Sequence, residues 1–159
     1  MTQLRDPANR VSPRARVYWT VRALPLWLVV GGVTTGVLWD SPAVVAWIVG
    51  GTTGLLAVAH LVVMPQWRYR VHSWEITETA VYTQSGWFSQ ERRIAPIARV
   101  QTVDTQRGPL EQVFGLSNVT VTTASSRGAI KIHALDLAVA DDTVAWLTER
   151  AQQGAGDGT

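Results

Sequence analysis

Two long stretches without charge dominate this sequence and limit what it can fold into. Ala23 to Trp39 carries no ionised side chain, Asp40 interrupts, and Ser41 to Trp67 again contains no Asp, Glu, Lys or Arg. The second stretch holds an apolar run from Ala43 to Val63. At about 1.5 Å per residue that run crosses a hydrocarbon core of roughly 30 Å. The first stretch is shorter. It reaches the same length if Val17, Tyr18 and Trp19 join the helix while Arg16 and Arg22 snorkel to the interface. Tryptophans stand at the ends, Trp19 and Trp67 on one side and Trp39 on the other, as in an aromatic belt. A buried hairpin in a soluble core is disfavoured, because 159 residues leave little room to enclose two such runs. A cleaved signal peptide is disfavoured too, because Val37-Leu38-Trp39-Asp40 offers no small-x-small site.

Charge then sets direction. Arg5, Arg10, Arg14, Arg16 and Arg22 stand before or at the start of the first run, against Asp6, and Arg68 and Arg70 follow the second. The loop Asp40-Ser41-Pro42 has no basic residue. The positive-inside rule predicts a two-pass protein of the inner (cell) membrane with both termini cytoplasmic. Trp19, Trp39, Trp67, Arg68 and Arg70 are the expected interfacial anchors. Gly32 with Gly36, and Gly50 with Gly54, are pairs four residues apart that allow close helix approach. The plainer reading has the two helices pack on each other; the sharper one has a glycine face dock a partner helix. His60 lies near the inner interface and has no evident partner in the sequence. Interfacial placement or a hydrogen bond to the sister helix accounts for it.

After Arg68 the texture changes to strands. Arg70 to Ile76, Ala80 to Trp87 and Ser89 to Ile94 read as strands, with Glu78-Thr79 as a turn, a reversal at Gly86 and a stop at Pro96. Gln101 to Gln106 is a further strand. Pro109 to Phe114 reads as a helical turn closed by Gly115. Asn118 to Thr123 and Ala129 to Ala134 read as a hairpin around Ser125 to Gly128. Asp136 is the expected N-cap of a helix whose apolar stripe is Leu137, Ala140, Val144, Leu147 and Ala151, ended by Gly154. The predicted division is a basic cytoplasmic leader over 1–16, a two-helix transmembrane hairpin over 17–66, a mostly-β cytoplasmic domain over 67–153 and a flexible tail over 154–159. Six strands and a closing helix point to a partly open barrel or bent antiparallel sheets plugged by that helix.

Three phrases in order, Arg92-Arg93-Ile94-Ala95-Pro96-Ile97-Ala98-Arg99-Val100-Gln101-Thr102-Val103, Gly108-Pro109-Leu110-Glu111-Gln112-Val113-Phe114-Gly115-Leu116 and Val119-Thr120-Val121-Thr122-Thr123, resemble the motif series of the bacterial pleckstrin-homology-like domain in YdbS-type membrane proteins. The resemblance runs from about Trp67 to Arg150, and the preceding hairpin fits it. It implies a PH-like fold of bent antiparallel sheets with a C-terminal helix. It implies no particular activity, because such folds serve as scaffolds for many kinds of binding. Members with this layout often accompany a longer relative carrying several such domains, so the resemblance implies another membrane protein as partner, alongside the lipid bilayer.

Composition and motif spacing exclude most catalytic classes. Cysteine is absent, which removes thiolate and disulfide chemistry, and the three histidines are scattered in sequence, with no metal-ligand spacing. No phosphate loop or catalytic set is present, so no catalytic residue, metal or cofactor is predicted. His133 and Asp136 lack a nearby nucleophile. From Arg68 onward there are nine basic and ten acidic residues, which gives neither the basic stripe of a nucleic-acid binder nor a polybasic lipid surface. Arg92, Arg93 and Arg99 are the local exception. They are the candidate contacts for an anionic lipid or a partner, although neighbouring strand residues face opposite ways. The sequence therefore predicts a membrane-anchored interaction or scaffold module, with anionic-lipid sensing as the alternative.

Overall fold

The structure, a computed structural model, describes residues 7–87, 89–125 and 128–156, with side chains through 153. Strand β1 (Asn9–Arg10) is followed by helices α1 (Ala15–Val37) and α2 (Ala43–Val71). Six further strands follow, β2 (Ser73–Ile76), β3 (Ala80–Gly86), β4 (Gln90–Pro96), β5 (Val100–Gln106), β6 (Leu116–Thr123) and β7 (Ile130–Asp136). A 3-10 turn (Ile97–Arg99) joins β4 to β5, α3 (Pro109–Phe114) joins β5 to β6, and α4 (Leu137–Gly156) closes the chain.

The helices α1 and α2 form the transmembrane hairpin. At 23 and 29 residues both exceed a hydrocarbon core, and their outward side chains are apolar and exposed, Leu28, Val33, Val44, Trp47 and Leu55 among them. Helix α2 passes through Pro65, which lacks the N–H that the carbonyl of Leu61 would otherwise accept from. The Thr20 hydroxyl of α1 lies 3.1 Å from its own Arg16 carbonyl and 3.3 Å from that of Leu61, so its single proton is shared between the two helices. Helix α2 continues to Val71, and Arg70 and Val71 are helical where the sequence suggested strand.

Two antiparallel sheets make the domain, in the orders β1-β2-β3-β4 and β5-β6-β7. Val81, Val119, Val121, Ile130, Ile132 and Leu135 from the sheets and Ala140 and Leu147 from α4 fill the space between them. The period-two face read from Ile130 and Ile132 and the helical stripe read from Ala140 and Leu147 meet in this core. Gly115 ends α3 at φ 66, in the left-handed region that suits glycine at a helix end. Gly86 has φ 138, and a side chain there would strike the Ser89 carbonyl, so glycine is required at the β3–β4 reversal. Strand β4 stops at Pro96 as expected, two residues beyond Ile94, with Pro96 its last residue and paired with Ala80. Asp136 ends β7, and α4 continues through Gly154 to Gly156. The expected tail beyond that, like Arg5 and Asp6 of the leader and Ser126 and Arg127 of the last hairpin, lies outside the described residues.

The largest departure from the sequence reading concerns the leader. Asn9 and Arg10 pair with Trp74 and Ser73, so the first sheet has a strand that precedes the hairpin. Val11, Ala15, Tyr18 and Trp19 are buried with Leu116 and Ala134 in a second core cluster. Among the described residues seven strands are present, not six, and the hairpin is an insertion between the first and second. Both flanks of the hairpin are thereby fixed in one sheet, with no flexible linker between membrane and domain.

Candidate functional site

Strand directions give the domain a membrane-facing and a membrane-distant end. Chain reversal at Trp87 touches the hairpin: the indole N–H of Trp67 donates to the Trp87 carbonyl at 3.1 Å, and the Trp87 ring lies 5.7 Å from that of His60. From there β4 climbs seven residues, roughly 20 Å, to Pro96. Strand β6 likewise starts at Leu116 against Tyr18 and Trp19 and climbs to Thr123.

The predicted arginines occupy the distant end and the strand leading to it. Arg93 and Arg99 line a cleft of about 210 Å³ with Pro96, Thr123 and Ser125. Arg92, the neighbour of Arg93 on β4, does not line it. Arg93 is committed to structure, donating to Glu91 at 2.7 Å and to the Ala129 carbonyl at 2.8 Å, so it ties β4 to the approach of β7.

The predicted anchors divide. Trp39 is 81% exposed at the hairpin tip, Trp67 is 47% exposed, and Arg70 is exposed at the end of α2. Trp19 is not at a lipid surface. It is 3% exposed, its ring lies 5.1 Å from His72, and the Arg68 guanidinium sits 4.6 Å above it. The reason is the incorporation of the leader: α1 begins inside the domain, and its first turns belong to the core. Gly32, Gly36, Gly50 and Gly54 do not draw α1 and α2 together, because a Cβ added at any of them would meet no atom within 4 Å. The helices instead meet through larger groups, including a hydrogen bond of 2.8 Å from the Trp27 indole to Nδ1 of His60.

The junction between hairpin and domain carries the densest polar chemistry. Arg22 donates to the Tyr18 hydroxyl at 2.9 Å, and that hydroxyl donates to Glu111 of α3 at 2.8 Å. Asn118 donates to the same carboxylate at 3.3 Å and accepts from the Ala134 N–H at 2.9 Å. Ala134, at φ 54, is held in this strained conformation from both sides, since its carbonyl accepts from the Ser12 N–H at 3.0 Å. The Ser12 hydroxyl donates to Asp136 at 2.8 Å. Burial opposes the Glu111 charge, but the hydrogen bonds from Tyr18 and Asn118 and the field of Arg22 outweigh it and lower its pKa.

All three histidines of the chain gather here, although sequence spacing gave no sign of it. His60, Met64 and Arg68 recur every fourth residue on α2, and His72, the residue that caps the helix, continues the stripe, which becomes readable once the helix is carried past Pro65. His133 joins from β7, where a bulge opposite Asn118 breaks the register. The rings of His72 and His133 lie 6.4 Å apart. Among the described residues no group of three or more His, Asp or Glu has the arrangement to hold a metal ion.

His72 is 3% exposed, and its Nδ1 donates to the Arg68 carbonyl at 2.8 Å. Burial pushes its pKa down to about 4, with Arg68 and His133 nearby adding to the effect. The folded state therefore holds His72 neutral where an unfolded chain, near 6.5, takes up a proton. Stability is full above about pH 6.5 and falls as pH drops towards 4, by on the order of 3 kcal/mol over that window. Unfolding of the detergent-solubilised protein should shift to lower temperature between pH 7 and 5, and His72→Gln should flatten the shift. Equal melting at both pH values would show that the neutral ring is not a condition of the fold.

Comparison with known proteins supplies the context. The bacterial PH domain family matches residues 25–151. The UPF0699 transmembrane protein YdbS of Bacillus subtilis (strain 168) is 29% identical over 141 residues, covering 86% of this chain and 87% of that protein. No solved structure matches the chain.

Proposed function

We propose, from the premise that this chain belongs to the bacterial PH domain family, that it is a membrane-seated docking module without catalytic activity, which assembles with another membrane protein. One observation carries the reading. Among the described residues the β5 edge from Val100 to Gln106 pairs only with β6, and five of its seven residues are exposed. An open strand edge offers backbone donors and acceptors to an incoming strand. The inserted hairpin holds this edge at a fixed height and orientation above the bilayer, which suits a partner that is itself membrane-bound. A longer relative with several PH-like domains is the partner this reading favours.

In this reading the protein lies in the inner membrane with both termini cytoplasmic, as supported by the arginines flanking both outer ends of the hairpin. A periplasm-active reporter fused after Arg150 should be silent. Lipid sensing through Arg92, Arg93 and Arg99 is less well supported, because the Arg93–Arg99 cleft stands at the end of the domain away from the hairpin.

Affinity purification of the full chain from its own host in mild detergent tests the assembly. It should recover a second membrane protein, and the double variant Gln101→Lys, Thr105→Lys should reduce recovery at least tenfold by placing charge on the edge. Recovery of this chain alone across several detergents would refute the proposal.

A further inference from the structure

The histidine stripe borders a cavity of about 360 Å³ that no part of the docking reading uses. Its walls include His60, Met64 and Arg68 on α2, His72 at the C-cap of that helix, Trp87 at the β3–β4 reversal and His133 on β7. At about 1.5 Å per residue the α2 wall is roughly 18 Å long, and it runs out of the membrane into the domain. The two ends differ in chemistry. Arg68 brings the positive charge to the end within the domain, beside the neutral His72 ring and His133, while Met64, His60 and the Trp87 ring line the end beside the bilayer.

Arg68 stands at the polar end over the Trp19 ring. Among the described residues no carboxylate is ion-paired with it. His133 senses Arg68, Lys131 and Arg22 as positive neighbours and Glu111 as the negative one. Glu111 is already engaged by Tyr18 and Asn118. A partly buried arginine in a cationic recess, with no fixed counter-charge, is a site for an anionic ligand, and a guanidinium suits phosphate oxygens.

We propose that this cleft holds the phosphate of an anionic glycerophospholipid taken from the leaflet on the domain's side. Arg68 is the charge partner and His133 a hydrogen-bonding neighbour. The cavity is at the lower end of ligand-site volumes and accommodates a headgroup but not a whole lipid. The acyl chains therefore pass Met64 and His60 and stay in the bilayer. The cleft's polarity runs in the same direction as that of a leaflet lipid, which favours a lipid over a soluble phosphate.

Native mass spectrometry of the full-length protein tests this, with phosphatidylglycerol or phosphatidylcholine added to the detergent micelle. The wild type should retain one phosphatidylglycerol and at least tenfold less phosphatidylcholine. Arg68→Gln should lower phosphatidylglycerol retention about tenfold, whereas Arg70→Gln on the same helix and Arg99→Gln in the distant cleft should leave it unchanged. Ser85→Leu, which narrows the cleft from β3 without touching its charge, should also abolish retention and decides the matter if Arg68→Gln does not fold. Equal retention of the two lipids overturns the proposal, as does a Ser85→Leu protein that binds like wild type. Displacement of the lipid by millimolar inorganic phosphate would assign the cleft to a soluble anion instead.

Discussion

Residues 68–159 expressed alone should fail to form the native domain. That segment contains six strands and α4, and by sequence it looks self-sufficient. It lacks β1 and the first turns of α1, and with them Val11, Ala15, Tyr18 and Trp19 from the second core cluster. Burying a large apolar side chain contributes about 1.5–3 kcal/mol, so the three larger ones together supply roughly 5–9 kcal/mol. A domain's whole stability is only about 5–15 kcal/mol. Ala134 would also lose the Ser12 N–H that helps hold its positive φ, and Asp136 its bond from the Ser12 hydroxyl. Circular dichroism and thermal melting should show secondary structure without a cooperative transition. A chain joining residues 7–24 to 58–159 through a short Gly/Ser linker should regain that transition. Cooperative unfolding of the 68–159 fragment at the stability of the longer chain would show that the leader is dispensable. Lipid-binding or pull-down results obtained with that fragment should accordingly be read as those of a damaged fold.

Trp19→Ala should destabilise the full-length protein by about 3–5 kcal/mol, the usual cost of emptying a large buried aromatic site. Trp39→Ala should change it by no more than about 0.5 kcal/mol, as is usual for an exposed position. The two tryptophans bracket the same helix and look equivalent in sequence. Trp19, however, supports the Arg68 guanidinium at 4.6 Å and packs on His72 at 5.1 Å, while Trp39 is 81% exposed. Its removal takes away the floor under the arginine as well as the packing. Denaturant unfolding of both variants in the same detergent separates an anchor from a core residue. Equal losses would mean that Trp19 acts at the bilayer surface after all.

Much of the architecture was legible because it rests on local rules. Uncharged runs longer than a bilayer, Pro109 and Gly115 around a short helix, and the alternation of Ile130 and Ile132 each have one stable solution. The leader was not legible, since a two-residue strand has no periodicity and its partner lies beyond the hairpin. The reach of α2 is hidden for a different reason: Pro65 reads as a stop, and only the fold brings the Thr20 hydroxyl within 3.3 Å of the Leu61 carbonyl that the proline leaves without its donor. The histidine cleft is hidden with it, because Arg68 and His72 lie beyond Pro65. The arginines of β4 drew attention by their density, yet Arg93 is spent on the fold through Glu91 and Ala129.

The insertion of the hairpin between β1 and β2 also turns the domain into a checkpoint on its own biogenesis. During synthesis Asn9 and Arg10 emerge first and must wait for both helices before Ser73 and Trp74 can pair with them. If only one helix crosses the bilayer, the two strands end on opposite sides and the sheet cannot close. The side chains of Val11, Tyr18 and Leu116 then stay uncovered. A correctly closed sheet thus requires that both crossings were made, so the fold of the domain and the topology of the hairpin stand or fall together.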